Sequence, residues 1–222
     1  MNNFHETSQA IKSEKMIPAC NKAIKSFLND NIGDNIEDNN IERFAKNKDE
    51  RHLLDREYAI DVSIILPNNN SKITFQEKAL SYNYYSFRTF TIEYLNNRFN
   101  KNIYHDNNKI LEALEQGEWF KINADFYLTG YANKDHNKFI EYLIINLPKF
   151  KIWVEKEYKN KKFNITSDKF SNANFIWFDY NDIPIYCIES HILYKDEYKK
   201  YMNDVNIKTK FRNEKNKPKR SD

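Results

Sequence analysis

Residues 58–79, YAIDVSIILPNNNSKITFQEKA, contain two apolar runs that are rich in β-branched side chains. Between these runs stands a segment of Pro, Asn and Ser at residues 67–71. Short β-branched runs favour strands, and Pro, Asn and Ser are residues that favour turns. The pattern therefore predicts a β-hairpin, and this hairpin restricts the possible folds more than any other part of the chain.

The hairpin carries three polar side chains. Asp61 stands within the first, apolar arm, and Gln76 and Lys78 stand two residues apart on the second arm. Side chains two residues apart leave a strand on the same face. A carboxylate among apolar neighbours is costly to bury without a metal ion or a partner. Two interpretations are open: a catalytic site, or an ordinary cross-strand ion pair between Asp61 and Lys78 worth under ~1 kcal/mol.

Composition and patterning predict one globular α+β domain. Of the 222 residues, 40% are hydrophobic and 30% are charged, which is typical of a folded chain rather than a disordered one. No internal repeat or long linker divides the chain, so a single domain is expected over residues 1–205. The predicted order is helices within 4–54 (4–29 and 41–54), a sheet core over 57–188 and a closing helix over 192–202. The sheet core includes a strand at 119–131, for which a break at Asn123 is left open.

The C-terminal segment is strongly basic although the whole chain has a formal net charge of only +3. Residues 206–222 hold seven Lys or Arg and two acids, a net charge of +5, so the rest of the chain carries −2. Such a segment either binds phosphate backbones non-specifically or is a disordered, solubilising tail. Its candidate nucleic-acid contacts are Lys208, Lys210, Arg212, Lys217, Lys219 and Arg220.

Arg88 is a further candidate contact because it follows the aromatic segment 82–87. Aromatic rings interleaved with Arg can stack on unpaired bases, and the same rings can instead fill the core. The sequence alone leaves both roles open for these rings.

Several other classes of site are disfavoured. Three glycines do not form a phosphate-binding loop, and the five histidines and two cysteines show no metal-ligand spacing. The cysteines are expected to be free thiols. The first residues are polar and charged, and no run approaches the ~20 apolar residues of a membrane span. We therefore expect a cytoplasmic protein without a membrane partner.

The order Asp61, turn, Gln76-Glu77-Lys78 resembles that of the PD-(D/E)XK nuclease superfamily, in its Gln-x-Lys variant. The resemblance covers about residues 41–150, and the wider pattern IDV…QEK…TIE…GEWF is similar to that of phage and mobile-element proteins. The superfamily resemblance implies a restriction-endonuclease-like α+β fold, a mixed sheet whose central β-hairpin is flanked by helices.

The same resemblance implies a metal-dependent reaction. In the superfamily the acid of the first arm and the first residue of the E-x-K motif bind the metal, and the lysine aids catalysis. Carried over, Asp61 and Gln76 hold Mg²⁺ or Mn²⁺, and Lys78 assists the attacking water. Gln76 contributes no charge, so a further carboxylate is expected. Glu50 and Glu93 are the leading candidates for that acid.

Other acids are weaker candidates. Glu42 and Glu57 precede the hairpin, and Asp125 stands in a later segment where a turn role is equally open. Glu77 is adjacent to Gln76, so it is expected to point to the opposite face of its strand.

The leading functional expectation is Mg²⁺-dependent hydrolysis of phosphodiester bonds in nucleic acid, with DNA as the expected substrate. A homodimer is compatible with this expectation. The alternative is a catalytically inactive, nuclease-like module that binds nucleic acid or a host protein for a phage or mobile element. A purely structural role within a larger assembly is the third hypothesis.

Overall fold

The computed structural model describes residues 15–33, 35–43, 58–96, 115–157, 165–167 and 173–215. Within these ranges the strands are β1 (Ile41–Arg43), β2 (Val62–Ile65), β3 (Lys72–Leu80), β4 (Thr89–Asn96), β5 (Glu115–Gln116), β6 (Phe126–Ala132), β7 (Phe139–Asn146), β8 (Ile165–Ser167), β9 (Ala173–Asp179) and β10 (Ile188–Leu193). The helices are α1 (Ile17–Ile32), α2 (Glu118–Lys121), α3 (Leu147–Glu157) and α4 (Lys195–Lys215).

The described strands form two sheets. The larger one has the order β1-β2-β3-β6-β7-β10, and its neighbours are antiparallel except for the parallel pair of β3 and β6. The smaller sheet has the order β5-β4-β9-β8 and is antiparallel throughout. A mixed sheet with several helices confirms the predicted α+β class.

The predicted hairpin is β2 and β3. Val62 pairs with Phe75, which fixes a register that the sequence pattern alone leaves undecided. At the turn, Asn70 has a φ of 53°, a conformation that Asn tolerates better than most residues. The Ser71 amide donates to Asn69 Oδ1 at 2.9 Å. The turn residues therefore act as their chemistry predicts.

The larger sheet has a different cover on each face. On one face α1 packs Ile24, Phe27 and Leu28 into a core shared with the apolar side chains of β2. On the other face lie the smaller sheet, α3 and α4, with Phe90 and Phe150 in the second core. The chain passes from β3 to the parallel strand β6 through β4, β5 and α2. This crossover brings β4 close to the second face of β3.

The N-terminal predictions need correction. A helix was expected over 41–54, but Ile41–Arg43 is the strand β1, which pairs with β2. This pairing is non-local, so it is invisible to a helix-period pattern. The remainder of that predicted helix, including Glu50, lies outside the described residues, and so does Glu57, which precedes the hairpin. Of the helix expected over 4–29, residues 4–14 lie outside the described part. The helix that the structure describes there, Ile17–Ile32, accommodates Pro18 in its first turn, where a missing amide costs little.

Two later boundaries also differ from the prediction. The segment 119–131 is broken at residues 122–125, around Asn123, but the part before the break is the short helix α2 and not strand, and β6 begins at Phe126. Strand β10 extends to Leu193, so the closing helix begins at Lys195 rather than at residue 192. The large sheet therefore runs beyond the predicted end of the sheet core.

The closing helix is longer than predicted. Helix α4 continues to Lys215, although a disordered tail was expected from residue 206. Residues 206–215 contain neither Gly nor Pro, so nothing in their composition stops a helix before Pro218. Lys208, Lys210 and Arg212 consequently lie on α4, whereas residues 216–222 lie outside the described part. No helix in the described ranges is long and apolar enough to span a membrane.

Candidate functional site

The two faces of β3 carry different polar side chains. Glu77 accepts two hydrogen bonds from Arg43, from Nη1 at 2.7 Å and from Nη2 at 2.9 Å, on the α1 side of the sheet. Gln76 and Lys78 alternate with Glu77, so they leave the strand on the opposite face. This arrangement agrees with the expectation that Glu77 does not share a face with Lys78.

Asp61 lies beside Gln76. The Asp61 amide donates to the Phe75 carbonyl at 3.0 Å, immediately before β2 begins. Since Val62 pairs with Phe75, one step along the same register places Asp61 opposite Gln76. The Asp61 carboxylate accepts a hydrogen bond from the Glu77 amide at 3.0 Å, which holds it against β3. The hairpin thus brings together the predicted acid and the predicted amide.

The carbonyl oxygen of Gln76 has no hydrogen-bond partner among the residues that the structure describes. The residue is only 9% exposed, and its Oε1 accepts no hydrogen bond from any described residue. An unsatisfied buried acceptor costs about 1–3 kcal/mol, so native proteins rarely leave one without a water, an ion or a ligand. Gln76 therefore marks a position at which an external electropositive group would be favourable.

Lys78 reaches across to the smaller sheet. Its Nζ donates to the Thr91 carbonyl of β4 at 3.0 Å. The same ammonium lies 5.1 Å from the centroid of the Phe175 ring on β9, within cation–π range. These contacts hold the charged end of Lys78 between the two sheets.

Glu93 lies on the part of β4 that Lys78 contacts. It is two residues from Thr91, so the two side chains share a face of the strand. Its pairing partner in β9 is Phe175, the residue whose ring lies beneath the Lys78 ammonium. Of the two leading candidates for the further acid, Glu93 is therefore near Lys78, and Glu50 is outside the described residues.

Tyr127 and Glu118 join this region, and neither was predicted as a site residue. Tyr127 is the neighbour of Gln76 in the parallel β3–β6 register, and its buried hydroxyl donates to Glu118 Oε1 at 3.0 Å. Burial, then the charge and hydrogen bond of Glu118, then the charges of Asp61 and Glu93 hold the pKa of Tyr127 well above its ordinary value. Three carboxylates thus act on one hydroxyl.

The sequence contains a signal for Glu118 but none for Tyr127. Glu118 stands in the GEWF part of the wider pattern, whereas Tyr127 stands among aromatic residues that are typical of a sheet core. Tyr127 is indeed fully buried, so composition alone does not distinguish it from a core ring. Only its register beside Gln76 shows its relation to the site.

The other candidate acids have different surroundings. Glu42 accepts a hydrogen bond from Ser63 Oγ at 3.2 Å, and the two residues pair across β1 and β2. Asp125 Oδ2 accepts from both the amide and the hydroxyl of Thr74 at 2.8 Å. Asp125 therefore fixes the connection at the beginning of β6, in agreement with the turn role.

The donor set fits a divalent cation in part. Within the described ranges, no three His, Cys, Asp or Glu side chains are grouped as a metal-binding set. Mg²⁺ is commonly held by one or two carboxylates together with waters and substrate phosphates. The Asp61 carboxylate and the unsatisfied Gln76 Oε1 have the chemistry of such a partial set.

Arg88 has a strong protein partner. Its Nε and Nη2 donate to the two oxygens of Glu141 at 3.0 and 2.6 Å. The preceding aromatic segment is divided, since Tyr82 and Tyr85 are buried and Phe87 is 62% exposed. Most of these rings are core, and a nucleic-acid contact by Arg88 stays a prediction.

Comparisons with known proteins did not assign the chain to a family. No family model, no curated protein and no solved structure matches it.

Proposed function

We propose that the chain is a metal-dependent nuclease with a restriction-endonuclease-like arrangement. The observation that carries this proposal is the position of Asp61, held against β3 by the Glu77 amide, beside Gln76 and Lys78, with Gln76 Oε1 buried and unsatisfied among the described residues. The antiparallel order β1-β2-β3, preceded by α1 and followed by the parallel strand β6, supports the same proposal. The expected substrate is nucleic acid, with DNA tested first.

The proposed roles follow from the chemistry of each side chain. Asp61 and Gln76 would hold Mg²⁺ or Mn²⁺, which when bound supplies Lewis-acid polarisation of the phosphodiester and lowers the pKa of water. Lys78 orients the attacking water and stabilises the negative charge that develops on the phosphorus oxygens. The Thr91 carbonyl holds the Lys78 ammonium in place, so this charge is oriented before substrate binds.

The direct test is cleavage of duplex and single-stranded DNA, and of RNA, with Mg²⁺ or Mn²⁺. Asp61→Asn and Lys78→Ala are expected to lower cleavage by about 10²-fold or more while the fold is retained. Lys72→Ala is the matched control, because Lys72 is exposed at the other end of the same strand. Full activity in EDTA, or in Lys78→Ala, would overturn the proposed mechanism.

The second candidate is a nuclease-like binding module without catalysis. The neutral Gln76 at a ligand position favours it, as does the lack of a three-residue metal-binding group within the described ranges. A mobility-shift assay in parallel with the cleavage assay separates the two. Equal nucleic-acid binding by the unaltered protein and Asp61→Asn, with no cleavage in either metal, would establish the binding module.

A further inference from the structure

We propose that Glu118, positioned by Tyr127, is the further carboxylate of this site and acts on the bound cation through water. The inference rests on the proposed nuclease function, in which the uncharged Gln76 requires a further carboxylate. A neutral amide at the second ligand position leaves the site one negative charge short of the acidic pair in the resembling superfamily.

Two contacts of the fold place Glu118 on the side of the sheet that carries Gln76. Helix α2, which begins at Glu118, packs against β4, the strand that carries Glu93. After α2, the Asn123 amide donates to the Tyr58 carbonyl at 3.0 Å. That bond joins the connection before β6 to the segment that leads into Asp61.

Tyr127 fixes the direction of the Glu118 carboxylate. A buried phenol that donates to one carboxylate oxygen restricts the side-chain rotamer, because leaving the hydroxyl unpaired would cost about 1–3 kcal/mol. The raised pKa of Tyr127, caused first by burial and then by Glu118, keeps the hydroxyl protonated as a donor. The bond occupies Oε1 and leaves Oε2 outside this contact.

Two independent observations indicate a cationic ligand here. Gln76 Oε1, more than nine-tenths buried and without a described partner, lies beside Tyr127 in the strand register. In addition, the hydroxyl of Tyr127, the register neighbour of Gln76, holds the Glu118 carboxylate by a hydrogen bond of 3.0 Å. A carboxylate oxygen and a buried amide oxygen are both hard oxygen ligands, which suit a divalent cation and not an anion.

The spacing of the acids decides how Glu118 contributes. Because the described residues contain no three acids grouped closely enough for one ion, Glu118 is not assigned as a direct ligand. Mg²⁺ gives up its waters reluctantly, and residues that hydrogen-bond those waters tune its affinity. Loss of such an outer partner typically lowers metal affinity 10- to 100-fold.

The test is calorimetric titration of Mn²⁺ and Mg²⁺ into the full chain without nucleic acid. Glu118→Gln is expected to raise the Kd about 10- to 100-fold. Tyr127→Phe is expected to raise the Kd less than Glu118→Gln does, because it keeps the Glu118 carboxylate and removes only the hydrogen bond that orients it. In the double variant, adding Tyr127→Phe to Glu118→Gln is expected to cause no further loss of metal affinity, since Tyr127 acts through Glu118.

Matched controls are available on other parts of the sheet. Glu189→Gln removes a half-buried carboxylate that accepts hydrogen bonds from Asn146 and Lys149, three strands from β3. Tyr142→Phe removes a buried hydroxyl on the α1 side. Neither control is expected to change the Kd, and circular dichroism checks that every variant folds.

The possible outcomes distinguish a failure of the role of Glu118 from a failure of the proposed nuclease function. If the unaltered chain binds neither metal, the proposed nuclease function fails. If it binds metal and Glu118→Gln binds equally well, the role of Glu118 is wrong while the proposed function stands. If Tyr127→Phe weakens binding by the same factor with and without Glu118→Gln, Tyr127 acts independently of Glu118 and its positioning role is wrong.

Discussion

Adjacent residues on β3 serve opposite faces of the molecule. Gln76 turns toward Tyr127 and the smaller sheet, and Glu77 turns toward Arg43 and α1. The two-residue period of a strand predicts this separation from the sequence. The identity of the Glu77 partner was not predictable, because Arg43 stood in a segment expected to be helical. Its strand pairing depends on residues that are distant in sequence.

This separation predicts that Glu77 is structural. Glu77 and Arg43 form an ion pair of 2.7 Å in which each side chain is little more than a tenth exposed. Removing one partner of a buried pair commonly costs about 3–5 kcal/mol, so Glu77→Ala should lower the free energy of unfolding by about 3 kcal/mol. Urea unfolding measures the loss, and metal binding by the folded variant should be retained.

The control is an exposed ion pair with the same N–O distance. Lys25 and Asp38 also meet at 2.7 Å, but the Asp38 side chain is 75% exposed. Asp38→Ala should therefore cost under ~1 kcal/mol. Equal losses for Glu77→Ala and Asp38→Ala would show that the buried pair contributes no special stability.

At the scale of elements, local patterns predicted more than non-local ones. The hairpin was predictable because its turn residues and β-branched arms lie within one short segment. Strands β4 and β9 lie within the predicted sheet core, but periodicity does not tell which sheet a strand joins. Helix α2 was read as strand because its four residues include two aromatic rings, Trp119 and Phe120, which also favour strands.

A buried carboxylate joins Arg88, which follows the 3₁₀-helix Tyr82–Phe87, to the large sheet. Glu141 on β7 is 1% exposed and contacts both Arg88 and His191 Nε2, the latter at 2.6 Å. Burial alone would raise its pKa, but hydrogen bonds from Arg88 and His191 and the charge of Arg88 outweigh burial and lower it. The ionised form is thus stabilised by folding.

This pKa shift predicts a specific dependence of stability on pH. Since the folded pKa of Glu141 lies below its unfolded value of about 4.3, its contribution is complete well above that value. It is lost as pH falls through the folded pKa. Urea unfolding between about pH 6 and pH 3 should therefore show a steeper acid loss for the unaltered chain than for Glu141→Gln. Parallel curves would contradict this assignment.

At the scale of the whole molecule, the class was predictable and the layering was not. Hydrophobic content and alternating elements indicated an α+β domain, and the mixed large sheet agrees. That a smaller sheet covers one face of the larger one follows from the β3-to-β6 crossover, which no local pattern shows. The same crossover carries Glu93 and Glu118 and leads into β6, which carries Tyr127, so the grouping of these residues was not predictable from local patterns although Glu93 was predicted as a candidate.

The basic end of the chain predicts salt-dependent binding to nucleic acid. Deleting residues 207–222 removes a net charge of +5 and leaves Tyr201 and Asp204, which pack α4 onto the fold. Affinity should fall for all sequences alike, and the slope of log affinity against log salt should shrink by about 0.9 for each phosphate that is no longer neutralised. Fluorescence anisotropy across a salt series measures both quantities.

A shorter deletion tests whether the effect follows charge. Residues 216–222 hold three basic residues and one acid, so their removal takes away +2. The change in slope should then be less than half of that for the longer deletion. An unchanged slope in both variants would show that the basic segment does not bind the phosphates.

The hydrogen bond between Lys78 and the Thr91 carbonyl has a consequence for control of the reaction. Lys78 belongs to one layer of the protein, and the group that orients its ammonium belongs to the other. If Lys78 acts as proposed, a partner that binds the outer surface of the smaller sheet and displaces β4 would misalign the lysine without entering the site. On the proposed mechanism, binding at the smaller sheet would therefore lower activity without blocking the site itself.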